Sequence, residues 1–187
     1  MATRRIREFL DGNKVGYQVI SHSPAYTAQE VAASAHVPGK DLAKVVVVIL
    51  DGQTALAVIP ATHEVDLERL CVAAGAAGVD IAAEREFAHR FEGCKLGTVP
   101  PFGNLFGMDT YADSALAKEE YIAFNAGTHT EVIAMKFADW RRLAHPKLAA
   151  ISFAPNESRR AVCASLTGSS VCPRCEPVNV GCEPGSP

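Results

Sequence analysis

Apolar positions along the chain recur at two spacings, one helical and one strand-like. Ile6, Phe9 and Leu10 lie three and four positions apart, which predicts an amphipathic helix over Arg4 to Leu10, closed by Gly12. Tyr17 to Ser21 reads as a short strand. Thr27-Ala-Gln-Glu30 has the form of a capping box, in which the Thr hydroxyl and the Glu carboxylate satisfy amides that the first helical turn leaves unpaired. It predicts a short helix through Ala35. Lys44-Val-Val-Val-Val-Ile-Leu50 then runs apolar for the length of one strand and ends at Asp51-Gly52. A type I′ turn needs positive φ at both central residues, and Asp-Gly supplies it. Val45–Leu50 and Thr54–Ile59 are therefore expected to pair as an antiparallel hairpin. Val46, Val48 and Leu50 would share one face, and Val45, Val47 and Ile49 the other. Both faces are apolar, so the strand should be central and covered on both sides.

Further on, Asp66 is the expected N-cap of a helix over Leu67 to Ala74, and another helix is expected over Ala83 to Phe91. Gly97-Thr-Val-Pro-Pro-Phe-Gly103 must be a stiff loop, because two prolines fix φ and remove donors. Tyr121–Asn125 and Glu131–Lys136 read as strands joined around Ala126-Gly127, and a last helix over Ala138 to Ala144 stops before Pro146. Hairpins in this order argue against a doubly wound parallel sheet. The expected class is α+β, a mixed and mainly antiparallel sheet with flanking helices. Residues 1–154 form the expected domain. Residues 155–187, rich in Pro, Ser, Gly and Cys with few large apolar residues, form an expected disordered tail.

Composition narrows the function. The 187 residues include 48% hydrophobic ones, enough for a real core, and no apolar run nears the ~20 residues of a membrane helix. The basic N-terminus, Met1 to Arg7, lacks the apolar stretch of a secretory signal, so a cytoplasmic location and no membrane partner are expected. A net charge of −3 disfavours tight, non-specific binding to DNA or RNA, although Arg4, Arg5, Arg7, Lys40, Lys44 and Lys95 could form a local patch for weak or transient contact. His22, His36, His63, His89 and His145 form no metal-ligand pair with a third ligand nearby, and no phosphate loop, dinucleotide fingerprint or nucleophile elbow occurs. No metal and no cofactor are expected in the domain. Of six cysteines, Cys71 and Cys94 stand alone, and Cys163, Cys172, Cys175 and Cys182 crowd the tail. Cys172-Pro-Arg-Cys175 is a CxxC knuckle, but its spacing to the other two fits no usual zinc ribbon, which leaves disorder ahead of a zinc or redox site.

Three stretches carry candidate chemistry, each with a plain structural explanation beside it. Lys44 opens a strand of buried residue types; it either snorkels to solvent or points its ammonium into a cavity beside the sheet. The loop Gly97–Gly103 is an ordinary stiff turn or a preorganised backbone for a small ligand. Asn125-Ala-Gly127-Thr-His129-Thr is a polar turn of a common kind, or a cluster of hydroxyl, amide and imidazole groups around a substrate, with Gly127 at positive φ.

Their order along the chain is more specific than any one of them. Lys44, then Gly97-Thr98-Val99-Pro100-Pro101-Phe-Gly103, Tyr111-Ala-Asp113, Phe124-Asn-Ala-Gly127-Thr-His-Thr130 and the closing Asp139-Trp-Arg-Arg-Leu143 resemble the YbaK/ProX family. These are aminoacyl-tRNA deacylases related to the editing domain inserted in bacterial prolyl-tRNA synthetases. The likeness spans about residues 4 to 153 and leaves the Cys-rich tail uncovered.

The resemblance implies a mixed, largely antiparallel sheet with flanking helices and hydrolysis of the ester that joins a mischarged small amino acid to tRNA. It implies Lys44 and His129 as candidate catalytic residues. Gly97, Thr98, Val99, Pro100, Pro101, Gly103, Asn125, Gly127 and Thr128 become candidate substrate-binding residues, and an aminoacyl-tRNA synthetase a candidate partner. A non-catalytic module of the same fold, binding aminoacyl-tRNA or a synthetase without cleavage, is the competing expectation.

Overall fold

A computed structural model describes residues 2–155 except 92 and 96. The expectations for the Cys-rich tail lie outside the described residues from 156 onward.

In chain order the elements are α1 (Ala2–Gly12), β1 (Tyr17–Ser21), α2 (Ala28–Ser34), β2 (Leu42–Leu50), β3 (Gln53–Pro60), β4 (Glu64–Val65), α3 (Leu67–Ala74) and β5 (Val79–Ile81). Then follow α4 (Glu84–Phe87), β6 (Asp109–Asp113), β7 (Tyr121–Asn125), β8 (Glu131–Lys136), α5 (Phe137–Ala144), β9 (Lys147–Ala149) and β10 (Ser152–Phe153), with short 3₁₀ turns at 88–90, 103–106 and 116–118.

Local chemistry explains most boundaries. The capping box at Thr27 and Glu30 is complete, and the Asp66 carboxylate accepts the Arg69 N–H at the start of α3. Asp51 and Gly52 take φ of 48° and 82°, and Leu50 pairs directly with Gln53, which is the two-residue primed turn. α1 ends differently from expectation. The left-handed residue is Lys14 (φ 54°) rather than Gly12, with Val15 N–H donating to Leu10 O at 3.2 Å and Lys14 N–H to Asp11 O at 3.0 Å. That is a Schellman closure, and it is accepted at a non-glycine position because it buries Val15 with Leu10. The expected helix Ala83–Phe91 is broken into α4 and a 3₁₀ turn.

The main sheet runs β1-β8-β7-β2-β3-β6-β9, with β5 also on β2. Its long ladders are antiparallel: β1 on β8, β8 on β7, and β2 on β3. β2–β7, β3–β6 and β6–β9 are parallel. The fold is thus a mixed, mainly antiparallel α+β sheet. β4 and β10 form a separate small ribbon.

Side-chain alternation gives the sheet two covered faces. On one, Ile6 and Leu10 of α1 and Trp140 and Leu143 of α5 pack with Ala43, Val58, Ile122, Phe124 and Ile133. On the other, α2 brings Val31 onto Leu42, Ala123 and Val132, while α3 brings Leu70 onto Val48, Leu50, Ala57 and Ile59. These are two distinct apolar patches on one face, and β2 runs from the first into the second.

Among the described residues, no helix is long and apolar enough to cross a membrane.

Candidate active site

Lys44 lies on the seam between those patches. It shares a face with Leu42, which belongs to the α2 patch, and with Val46 and Val48, which belong to the α3 patch. β2 also changes neighbour here. Leu42 and Ala43 pair with Ala123 and Phe124 of β7, whereas Val48–Leu50 pair with Val79–Ile81 of β5. Residues 44–46 sit in the fork. Lys44, Val45 and Val46 are accordingly half-buried, between the buried Ala43 and Val47.

Burial lowers the Lys44 pKa from its ordinary value, because a low-dielectric surrounding disfavours the charged form. The negative charge of Glu64, on β4, pulls it part of the way back. No hydrogen bond or ion pair holds the ammonium among the described residues, whereas Lys40 and Lys147 each hold a carboxylate at 2.7 Å.

Continuing the β2–β7 register by one position brings Lys44 level with Asn125, on the same face as Ala123. Past Asn125 the chain turns through Ala126 and Gly127, whose φ is 92° as the turn requires. Asn125 Oδ1 and Thr128 Oγ1 are buried atoms without a hydrogen-bond partner among the described residues, as is His22 Nε2. A lost hydrogen bond at a buried polar atom costs about 1–3 kcal/mol, so such atoms call for a partner. His22 and Ala25 are tied to the same turn: His22 N–H donates to Thr130 O at 2.9 Å and Ala25 N–H to His129 O at 3.1 Å. The half-buried His129 ring contacts Tyr26, with ring centroids 4.8 Å apart.

The proline loop joins the turn at one end only. Lys95 N–H donates to Gly127 O at 3.1 Å and Gly127 N–H to Thr98 O at 3.0 Å, a reciprocal pair that lashes the Gly97–Thr98 end to the turn. Gly97 is exposed with φ of 74°. The rest of the loop is engaged in packing. Val99 joins Val47, Leu56 and Met108 on the opposite face of the sheet, and Pro100 is buried. Pro101 O accepts from Trp140 Nε1 at 3.0 Å. Gly103 N–H donates to Thr110 Oγ1 at 3.1 Å, and a Cβ at Gly103 would come within 2.6 Å of Met108 O. The backbone therefore brings Gly97 and Thr98 to Gly127, while Val99 to Gly103 anchor the loop from behind.

Two surface recesses, of about 370 and 400 Å³, lie elsewhere, one lined by Asp51, Tyr111 and Lys147 and the other by Tyr17, Tyr121 and Lys136; Lys44 lines neither. Among the described residues no three potential ligands cluster as a metal would need. Cys94 is no candidate nucleophile, since burial pushes its thiol up to about 11. Asp113 is buried as a structural carboxylate, accepting from Ala115 N–H, Ile151 N–H and the Ser152 hydroxyl at 2.7, 2.9 and 2.7 Å. Sequence reasoning missed Glu64, Tyr26 and His22 as neighbours of the site. Only the capping box beside Tyr26 could have pointed to any of them.

The profile of the aminoacyl-tRNA editing domain matches residues 22–143, the span that holds Lys44, the proline loop and the Asn125–His129 turn. The chain belongs to that family. Editing is hydrolysis of the ester between amino acid and tRNA, so this editing domain is an aminoacyl-tRNA deacylase, and aminoacyl-tRNA is its substrate class. Among curated relatives, the multifunctional Ser/Thr-tRNA deacylase ProXp-y of Escherichia coli (strain K12) is 27% identical over 150 residues, 78% of this chain and 89% of the relative. A crystal structure of a proposed trans-editing enzyme for prolyl tRNA synthetase superposes with a TM-score of 0.71 at 19% identity, over 81% of this chain and 97% of the other. A second crystal structure, of a hypothetical protein, gives 0.72 at 19% identity over 80% of this chain and 99% of the other.

Proposed function

We propose that residues 1–154 act in trans on mischarged tRNA and release a small amino acid, serine or threonine before others, with Lys44 positioning the 3′ end. One observation carries this reading. Lys44 is a half-buried ammonium with no hydrogen bond or ion pair among the described residues, one register step beyond the Ala43–Phe124 pair and so beside Asn125, whose buried Oδ1 has no partner among them. Taking an ammonium partly out of water without pairing it is costly. A charge held so is suited to an incoming ester carbonyl, ribose or phosphate.

The chemistry asks little more. An aminoacyl ester is already activated, so orienting water or the ribose 2′-hydroxyl and stabilising the developing oxyanion suffice. In this proposal Lys44 supplies the positive charge, and the exposed Gly97 backbone, held in place by the bond from Gly127 N–H to Thr98 O, takes the amino group and a water. His129 stands at the rim as a polar group beside the ester. No covalent intermediate is invoked. Asn125 Oδ1 and Thr128 Oγ1, both buried and unpartnered, suit a substrate side chain bearing a hydroxyl. The relative named as a Ser/Thr-tRNA deacylase supports the same preference. A polar pocket discriminates strongly, because an analogue lacking the hydroxyl leaves its buried groups unpaired. A cytoplasmic setting and a synthetase as the source of mischarged tRNA belong to the same proposal.

The test is a deacylation panel with purified protein and tRNAs charged with serine, threonine, alanine, cysteine, proline and valine. Fast release of serine or threonine and slow release of valine is the expected result. Equal turnover of all six, or turnover of none, rejects the specificity or the activity respectively.

A further inference from the structure

Four large apolar side chains stand exposed among the described residues: Tyr26, Val72, Ile81 and Tyr121. Only the Tyr26 ring contacts a candidate site residue, resting on His129 at 4.8 Å with the planes tilted by 48° while 74% of the residue is open to solvent. Isolated exposed apolar residues are ordinary. This one differs in how firmly its backbone is held. Tyr26 N–H and Thr27 N–H both donate to the Glu30 carboxylate, at 3.0 and 3.1 Å, and the preceding Ala25, itself buried, is bonded to His129 O. The ring is thus mounted on a fixed strap beside the turn.

Tyr26 also declines the structural role its position offers. It directly precedes the N-cap Thr27, where a large apolar residue commonly staples onto the fourth helical residue. That residue is Val31, 1% exposed and already packed with Ala25 and Ala28, while Tyr26 leaves most of its surface in solvent. The helix start is sealed without the Tyr ring.

We propose that Tyr26, backed by His129, is a stacking platform for the 3′-terminal base of the tRNA. The inference rests on the reading that the Asn125–His129 turn borders the bound 3′ end. A single-stranded terminal base offers a flat π-face, and an exposed, preorganised aromatic ring at the edge of an ester-cleaving site matches it at low entropic cost. Stacking of this kind is worth about 1–3 kcal/mol per base, or roughly 5- to 150-fold in affinity. It tolerates any base, and so serves a domain that selects on the amino acid.

The probe is an RNA oligonucleotide with the acceptor-stem 3′ end, its last base replaced by fluorescent 2-aminopurine. Wild type and Tyr26→Trp should quench it, and Tyr26→Ala should not. On mischarged tRNA, Tyr26→Ala should raise KM about 5- to 150-fold with kcat within about twofold, while hydrolysis of a seryl methyl ester, which lacks a base, stays at the wild-type rate. Quenching and KM at wild-type values in Tyr26→Ala overturn the platform; an equal loss on the methyl ester overturns it as well, since the ring then acts without a base. Lys44→Ala, assayed in parallel, reports on the site itself: its loss of turnover with Tyr26→Ala unaffected would reject the platform alone.

Discussion

The proline loop can function as a preorganised element only if something stiff holds it, and the fold offers Trp140 for that task. Its indole is fully buried, packs against Phe137 with centroids 5.4 Å apart, and donates to Pro101 O at 3.0 Å. Trp140→Phe keeps an aromatic ring but removes the donor and part of the volume. The orphaned Pro101 carbonyl costs about 1–3 kcal/mol, and the smaller ring leaves a void worth about another 1 kcal/mol. The expected loss is therefore about 2–4 kcal/mol, or roughly 5–15 °C in Tm for a domain of this size. Urea titration checks the stability. Deacylation is then measured at a temperature where both proteins are folded, and a fall of about 10-fold or more is expected, because small misplacements in a binding loop are amplified in rate. Leu143→Ala is the control. It lies in the same cluster and should lose about 2–5 kcal/mol, yet it leaves the Trp140–Pro101 bond alone and should keep the wild-type rate where folded. If Trp140→Phe matched wild type in stability and rate, or if Leu143→Ala lost rate to the same extent, the anchoring argument would fail.

Further tests reach other parts of the site. Because burial lowers the Lys44 pKa in the folded state, the unfolded chain binds the proton more tightly below pH 10.5; the stability of wild type relative to Lys44→Met should rise as pH climbs toward that value, and a flat difference would refute the burial argument. Glu64 opposes that lowering, so Glu64→Gln should move the alkaline limb of the background-corrected deacylation profile to lower pH, and an unmoved limb would separate Lys44 from the rate. Cys94, its thiol held near 11, should be replaceable by Ala with activity kept within about twofold; loss of activity on treatment with iodoacetamide that the variant escapes would contradict this. Deleting residues 155–187 should leave deacylation and metal content unchanged, and stoichiometric zinc in the full chain alone would point instead to the CxxC knuckle.

What could be read from sequence was what local chemistry decides. Asp51-Gly52 forced the β2–β3 hairpin, Thr27 and Glu30 started α2, and Asp66 started α3, each through contacts within a few residues. Distant pairings stayed hidden. β6 is an interior strand, one in from the β9 edge, but Asp-Thr-Tyr-Ala-Asp has polar ends and is made a strand by parallel pairing to β3, some fifty residues earlier. β5 and β9 are three residues each and exist through their partners. The site divides the same way. Lys44 stood out as a charge opening an apolar strand, and Gly127 announced its positive φ, whereas that of Gly97 emerged only in the structure. Missing was the seam between the α2 and α3 patches, because it depends on how two helices settle on one face. The loop also proved to have two ends with different work, which only the Trp140 and Thr110 contacts distinguish.

The most direct test of Lys44 is single-turnover deacylation of serine-mischarged tRNA by Lys44→Ala, with circular dichroism to establish that the variant is folded. A loss of roughly 100-fold or more, the scale for removing one group that stabilises a developing oxyanion, is the predicted result. Hydrolysis at the wild-type rate by the folded variant would contradict the account.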